Sequence, residues 1–230
     1  MKKQTTVRVL LNGAHGKMGQ AITRLINENP QKNLVVSATR TAGQTDVNEP
    51  FDIVVDFSTP QGAQEAFLLA KKHKKPFLTG TTNLPEVFLF KLQSEEKIPV
   101  FFAPNVSLSV YFFTALIKEA CKMYKGYQKA LHEIHHVHKK DAPSGTAKRI
   151  AAEMDLPVAQ VTYERIGETV GTHRATLTSN LDEITLTHKA MSRDLFAASV
   201  LDIAAWLVKR EGGFYTMSDF AKFKLKEQKK

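Results

Sequence analysis

"VRVLLNGAHGKMGQAITRLINENP" (residues 7–30) is the stretch on which the fold turns. An apolar run stops at Leu11 and a glycine-bearing turn follows. Met18, Ile22, Leu25 and Ile26 then fall on one face of a helix that ends before Pro30. Gly13, Gly16 and Gly19 give G-x-x-G-x-x-G rather than G-x-G-x-x-G, because His15 stands where the second glycine is usual. Such a triplet is weak alone and much stronger between a first strand and a first helix. There, glycines let the backbone approach a pyrophosphate, and the helix N-terminus offers N–H donors. The residues of this turn, Gly13, Ala14, His15, Gly16, Lys17 and Met18, are candidate cofactor contacts.

Outward from this stretch the pattern repeats. Residues 33–40, "NLVVSATR", read as a second strand. Residues 51–60, "FDIVVDFSTP", read as a third, with the continuous apolar run of a parallel strand covered on both faces. Helix (61–73), strand (75–82), helix (84–97) and strand (98–105) follow. Strands alternating with helices predict a Rossmann-type α/β domain, a doubly wound parallel sheet, over residues 1–105. Small hydroxyl residues and glycine recur at three strand ends, "DFSTP" (56–60), "TGTT" (79–82) and "APN" (103–105), where such sheets bind ligands. The end of the second strand selects the cofactor. An acidic residue there grips a ribose hydroxyl, whereas an arginine accommodates a 2′-phosphate. Here the residues are Thr39 and Arg40, with Lys17 as a second cation, so NADPH is expected, with NADH the weaker substitute.

After Asn105 the pattern changes to a long helix, several strands and two further helices. Residues 106–212 read as an α+β domain with a mixed or antiparallel sheet, and residues 213–230, opening on "GGFYTMSDF", as a return to the first domain. Within it, "HEIHHVHKKDAPSGT" (132–146) holds four of the eight histidines and two lysines in front of a helix start. A metal site, a nucleic-acid patch and an anion-binding catalytic pocket are all open. On a regular strand His132, His136 and His138 share one face and His135 takes the other. The stretch lacks H-E-x-x-H on a helix and any cysteine pair, so no metal is expected. The pocket reading uses the whole stretch. Gly145 and Thr146 present N–H groups at a helix start, Lys139 a point charge, and a histidine a proton near neutral pH.

Composition narrows the class. With 43% apolar and 24% charged residues, the 230-residue chain reads as globular rather than disordered. Of the net charge of +9, the last ten residues, "AKFKLKEQKK", supply +4. The remainder is spread along the chain, which suits anionic small molecules and argues only weakly for nucleic acid. The single cysteine, Cys121, excludes an intramolecular disulfide and fits a reducing, cytoplasmic setting. No run approaches the roughly 18 apolar residues of a membrane span, and the N-terminus reads as a first strand rather than a signal peptide.

Taken together, "GAHGKMG", "DFSTP", "GTT", "APNVS", "EIHHVHKKDAPSGTA", "RIGETVGTH" and "HKAMSRDLFA" resemble the dihydrodipicolinate (4-hydroxy-tetrahydrodipicolinate) reductase family. They run in family order over nearly the whole chain, and the histidine–lysine stretch before D-A-P-S-G-T is the most specific. The resemblance implies a two-domain homotetramer. Its second domain binds substrate and mediates oligomerisation. The implied reaction is the NAD(P)H-dependent reduction of a cyclic imine dicarboxylate to tetrahydrodipicolinate, in the diaminopimelate and lysine pathway. It places the acid/base histidine on His135, the proton-donor lysine on Lys139, and substrate carboxylate contacts on His136, Gly145 and Thr146. Cofactor contacts fall on Gly13 to Met18, Arg40, Gly80, Thr81, Thr82, Ala103, Pro104, Asn105 and Val106. "RIGETVGTH" (165–173) is typical of the family but receives no chemical role. Three departures stand out: Thr39 where NADH users often carry an acidic residue, Ser109 in place of a glycine, and a short loop after Arg40. Two other classes stay open: a different NADP-dependent dehydrogenase of this architecture, and a non-enzymatic NADPH sensor or nucleic-acid binder.

Overall fold

The computed structural model describes residues 5–41, 43–44 and 46–228; the last two lysines of the basic tail and the first four residues lie outside it. The chain divides into two compact units, one comprising the residues up to Val106 together with those from Phe196 onward, the other Ser107–Leu195.

The first unit holds β1 (Val7–Asn12), α1 (Lys17–Glu28), β2 (Leu34–Arg40), β3 (Ile53–Asp56), α2 (Pro60–Lys72), β4 (Phe77–Thr79), α3 (Glu86–Gln93) and β5 (Pro99–Phe102). Every pairing is parallel, and the strand order runs from β5 through β4, β3 and β1 to β2. The chain leaves β1 for β2 on one side and returns to β3 on the other. The point where strand order reverses therefore lies between β1 and β3, where ligands enter such sheets. All four residues of β3 are buried, as its unbroken apolar run predicts. Leu10, Val54, Phe67, Phe77, Phe88 and Val100 form the core of this unit. Local chemistry sets the helix ends. Thr59 caps α2 by accepting from the Gly62 N–H at 3.1 Å, Pro60 starts it, and Lys71 and Lys72 lie in its last turn.

The second unit holds α4 (Leu108–Met123), β6 (Gln128–His135), α5 (Gly145–Glu153), β7 (Thr162–Arg165), β8 (Gly171–Thr178) and β9 (Glu183–Ala190). Its sheet is mixed, ordered β7, β6, β8, β9, with β6 parallel to β7 and the other pairs antiparallel. Phe113 and Ile117 of α4, Ile150 of α5 and Met154 at its C-cap pack against Leu131, Ala175 and Leu177 on one face of this sheet. Ser109, the departure from glycine, sits in the first turn of α4. Its hydroxyl lies 2.9 Å from that of the capping Ser107, so the helix entry is an ordinary serine cap.

The second unit ends at Leu195, earlier than the sequence boundary at 212. The reason is the helix α6 (Asp194–Leu207), whose Trp206 packs edge-on against Phe101 of β5 and against Phe220. β10 (Gly213–Tyr215) then joins β5 in parallel as a sixth strand, and α7 (Met217–Glu227) closes the unit with a capping box of Thr216 and Asp219.

Candidate active site

The turn between β1 and α1 explains its glycines. Gly13 has φ +85°, and a Cβ there would stand 2.2 Å from the Phe57 carbonyl oxygen. A Cβ on Gly19 would stand 2.2 Å from the Gly13 oxygen, so this glycine seats the helix on its own turn. Gly16 is the N-cap. It offers no side chain to the helix, and the first turn carries no acidic residue, which leaves an electropositive helix end. His15, Lys17, Thr82 and Pro104 are exposed, Ala14, Met18, Gly80 and Asn105 are half-buried, and Thr81, Ala103 and Val106 are buried.

The side chains at the strand ends look inward. Asp56 is fully buried and accepts from Asn12 Nδ2 at 2.7 Å, Thr79 Oγ1 at 2.6 Å, Thr81 Oγ1 at 2.7 Å and the Ser58 hydroxyl. The hydroxyls of "DFSTP" and "TGTT" thus tie loop to loop rather than stand open. Arg40, a candidate cofactor contact from the sequence, belongs to the same network. Its side chain is 1% exposed, with Nη1 donating to Asn12 Oδ1 at 3.0 Å, Nε to the Gln44 carbonyl at 2.7 Å, and Nη2 to Glu65. A guanidinium committed to three internal acceptors is not the exposed cation that a 2′-phosphate requires. Thr39 next to it is exposed.

In the second unit, alternation along β6 puts Leu131, Glu133 and His135 on the buried side. The strand ends at His135, so the regular alternation expected through His138 does not continue; a turn follows in which Lys139 N–H donates to the His136 carbonyl at 3.1 Å. His136 is half-buried in that turn, and His138 is exposed. Lys139 pairs with Asp141 at 2.7 Å. Ser144 caps α5, accepting from the Ala147 N–H at 3.1 Å, which makes Gly145 and Thr146 the first two helical residues. The start of α5 thus follows directly on the histidine–lysine turn.

Glu133 is the buried charge of the site. Its Oε1 accepts from the Ser144 N–H at 2.8 Å and from Arg165 Nη2 at 3.3 Å. Its Oε2 lies 3.3 Å from His135 Nδ1 and 3.6 Å from His173 Nε2. Burial pushes the Glu133 carboxyl up, but the adjacent His173, the hydrogen bond from Ser144 and the nearby His135 outweigh it and hold it down to about 2. Burial likewise pushes His135 down to about 4; Glu133 opposes this, while His173, Lys139 and Arg165 reinforce it.

Comparison with known proteins matches both halves of the chain. Residues 7–106 match the model described as dihydrodipicolinate reductase, N-terminus, and residues 109–221 the model described as dihydrodipicolinate reductase, C-terminus. The chain belongs to the dihydrodipicolinate reductase family. It is 32% identical to the 4-hydroxy-tetrahydrodipicolinate reductase of Campylobacter jejuni subsp. jejuni serotype O:6 (93% of this chain, 98% of that protein). It is 34% identical to that of Xanthomonas euvesicatoria pv. vesicatoria (94% and 98%). Among solved structures, the dipicolinate-bound dihydrodipicolinate reductase of Paenisporosarcina sp. TG-14 shares the fold, with TM-score 0.72, 18% identity, and coverage of 92% of this chain and 98% of that one. An amine dehydrogenase from Mycobacterium smegmatis shares it more loosely, with TM-score 0.60, 9% identity, and coverage of 93% and 96%.

For this member of the dihydrodipicolinate reductase family, the residues singled out from sequence sort by unit. The glycine turn, Gly80 to Thr82 and Ala103 to Val106 lie in the first; His135, His136, Lys139, Gly145 and Thr146 lie in the second. Sequence reasoning missed Glu133, Arg165 and His173. The signal for Glu133 was available, since the period of two that turns His135 inward turns Glu133 the same way. Among the described residues, Glu133, His135 and His173 also have the spacing of a cation site, with ligand-capable atoms within 4.8 Å of one another. The Arg165 guanidinium on the same carboxylate already supplies positive charge there.

Proposed function

We propose that the chain reduces 4-hydroxy-tetrahydrodipicolinate to tetrahydrodipicolinate with NAD(P)H, NADPH preferred, in diaminopimelate and lysine biosynthesis. The observation that carries this reading is the run His135, Lys139 and the start of α5, a proton-transfer pair beside an anion-binding helix end, in a member of this reductase family.

The residues of the first unit fit a dinucleotide. Gly13 packs its turn directly against the Phe57 carbonyl, and the α1 N-terminus is uncapped and free of carboxylates. Gly13 to Met18 would hold the pyrophosphate, with Gly80 to Thr82 and Ala103 to Val106 at the neighbouring strand ends. A bound nicotinamide supplies the hydride. The preference for NADPH rests on exposed Thr39, which offers no carboxylate to repel a 2′-phosphate, and on exposed Lys17.

In the second unit, the N–H groups of Gly145 and Thr146, together with His136, hold a substrate carboxylate against the positive end of α5. Loss of the 4-hydroxyl as water leaves a conjugated ring that takes the hydride at carbon; Lys139 then delivers the proton to that ring, and its ion pair with Asp141 keeps it within the turn. His135 is neutral at neutral pH in the free protein, where the sequence reading expects a protonated ring. A dianionic substrate adds negative charge beside it, favours its protonated form, and lets it stabilise the charge that hydride arrival leaves on the ring. His135→Gln is expected to lower kcat about 100-fold or more, while NADPH affinity, read by quenching of the bound nicotinamide's fluorescence, changes less than about 3-fold. Equal losses in both would remove His135 from the chemistry.

The assembly is proposed as a cytoplasmic homotetramer that takes a small dicarboxylate and neither nucleic acid nor membrane. Two facts support this. One sheet face of the second unit, with Ala130, Arg174, Thr185 and Thr187, stays exposed opposite the face that carries α4 and α5. No helix among the described residues is long and apolar enough to cross a membrane.

A further inference from the structure

The segment 165–173 is tied at several points to the end of β6 and to the histidine–lysine turn that follows it. Ile166 N–H donates to the His135 carbonyl at 2.8 Å, and Val137 N–H donates to the Gly167 carbonyl at 3.1 Å. The Arg165 guanidinium donates to the carbonyls of Lys139 at 3.3 Å and Asp141 at 2.6 Å, besides Glu133. Gly171 lies across from the His135 ring, and a Cβ there would stand 3.0 Å from Nε2. His173 faces Glu133 in register across the sheet, and its ring stands edge-on to that of His135 with centroids 5.3 Å apart. Glu133 Oε2, His135 Nδ1 and both nitrogens of His173 are buried and none of them makes a hydrogen bond in this structure; Oε2 lies 3.3 Å from His135 Nδ1 and 3.6 Å from His173 Nε2.

We infer that Arg165, Glu133 and His173 form a buried positioning unit that holds His135 as the Nδ1–H tautomer, with Nε2 as the nitrogen presented for proton transfer. The inference rests on the reading of His135 as the acid/base group and gives "RIGETVGTH" its role. A carboxylate oxygen 3.3 Å from Nδ1 favours the tautomer protonated on that nitrogen by charge, since an anion attracts an N–H and repels a ring lone pair. Gly171 leaves room for Nε2 on the opposite edge of the ring. The second oxygen of Glu133 reaches the Ser144 N–H, so one carboxylate fixes both the histidine and the first turn of α5. Arg165 neutralises that carboxylate and pins the backbone on which Lys139 is carried. The charged and titratable groups bearing on His135 are therefore Glu133 on its own strand, Arg165 on β7, His173 on β8 and Lys139 in the turn.

The test is a long-range 15N–1H correlation spectrum of the full-length protein at neutral pH, with the His135 signals assigned from their loss in His135→Gln. The wild type is expected to show His135 protonated at Nδ1, and Glu133→Gln to give a mixture of tautomers. Kinetically, Glu133→Gln and His173→Gln are expected to lower kcat about 10- to 100-fold and to shift the pH profile of kcat/KM, with substrate KM and NADPH affinity within about 3-fold of wild type. His135 found as the Nε2–H tautomer in the wild type overturns the inference without any variant being needed. So does an unchanged spectrum in Glu133→Gln, or a stoichiometric bound metal that departs in His173→Gln. Should His135→Gln retain full turnover, the catalytic reading of His135 fails, and the wild-type spectrum still decides whether Glu133 sets its tautomer.

Discussion

Arg40 ends β2 at the position where a cofactor phosphate would call for a cation, yet its side chain is committed to Asn12, Gln44 and Glu65. Sequence position placed the residue; only the three-dimensional network shows which way it faces. The consequence is measurable. Glu65 is partly exposed, so the cost of removing Arg40 is chiefly that of leaving the buried Asn12 oxygen without its donor, about 1–3 kcal/mol. Arg40→Ala is therefore expected to lower Tm by roughly 5 °C in a thermal melt, with or without NADPH. A variant that melts like wild type and loses only NADPH affinity would return Arg40 to the cofactor. The same scale governs pH. His135 is held at about 4 against an ordinary 6.5, so between those values the unfolded chain takes up the proton first. Stability is then complete above about pH 6.5 and declines as pH falls towards 4; His188, also pushed down by burial, adds to the effect. Glu133, held at about 2 against 4.5, extends the decline below pH 4.5. Urea melts from pH 7 to 4 should show a shallower pH dependence in His135→Gln, and an identical slope would contradict the burial argument.

At the level of elements, periodicity found most of what it could find. The unbroken apolar run of β3 and the glycine turn are local signals with local causes, and they fall where the sequence places them; the Thr59–Pro60 start of α2 instead lies inside the stretch read as the third strand. Two boundaries were not legible, because tertiary contacts set them. β6 stops at His135, where the backbone turns and is tied to the 165–173 segment, and α6 joins the first unit because Trp206 finds Phe101 and Phe220. The glycine turn yields a graded prediction. A methyl on Gly13 meets the Phe57 carbonyl at 2.2 Å in a positive-φ conformation, whereas one on Gly16 meets the Gly13 oxygen at 3.3 Å. Gly13→Ala is expected to lose NADPH binding by at least about 10-fold, and Gly16→Ala to lose less, in a fluorescence titration. The reverse order would mean that the turn's shape is not what receives the cofactor.

For the molecule as a whole, the two units divide the work: a parallel sheet whose strand order reverses beside a glycine turn, and a mixed sheet whose inner face carries Glu133, His135 and His173. Light scattering on the purified protein is expected to give the mass of four chains, and a monomer at micromolar concentration would remove the exposed sheet face as an interface. The most direct test of the account is turnover itself. Substrate is generated in place from pyruvate and aspartate semialdehyde by a synthase, and nicotinamide absorbance is followed with NADPH and then with NADH. The account predicts oxidation that requires every component of the coupled system and runs faster with NADPH. A folded protein that binds NADPH but oxidises neither cofactor in the complete system would contradict it.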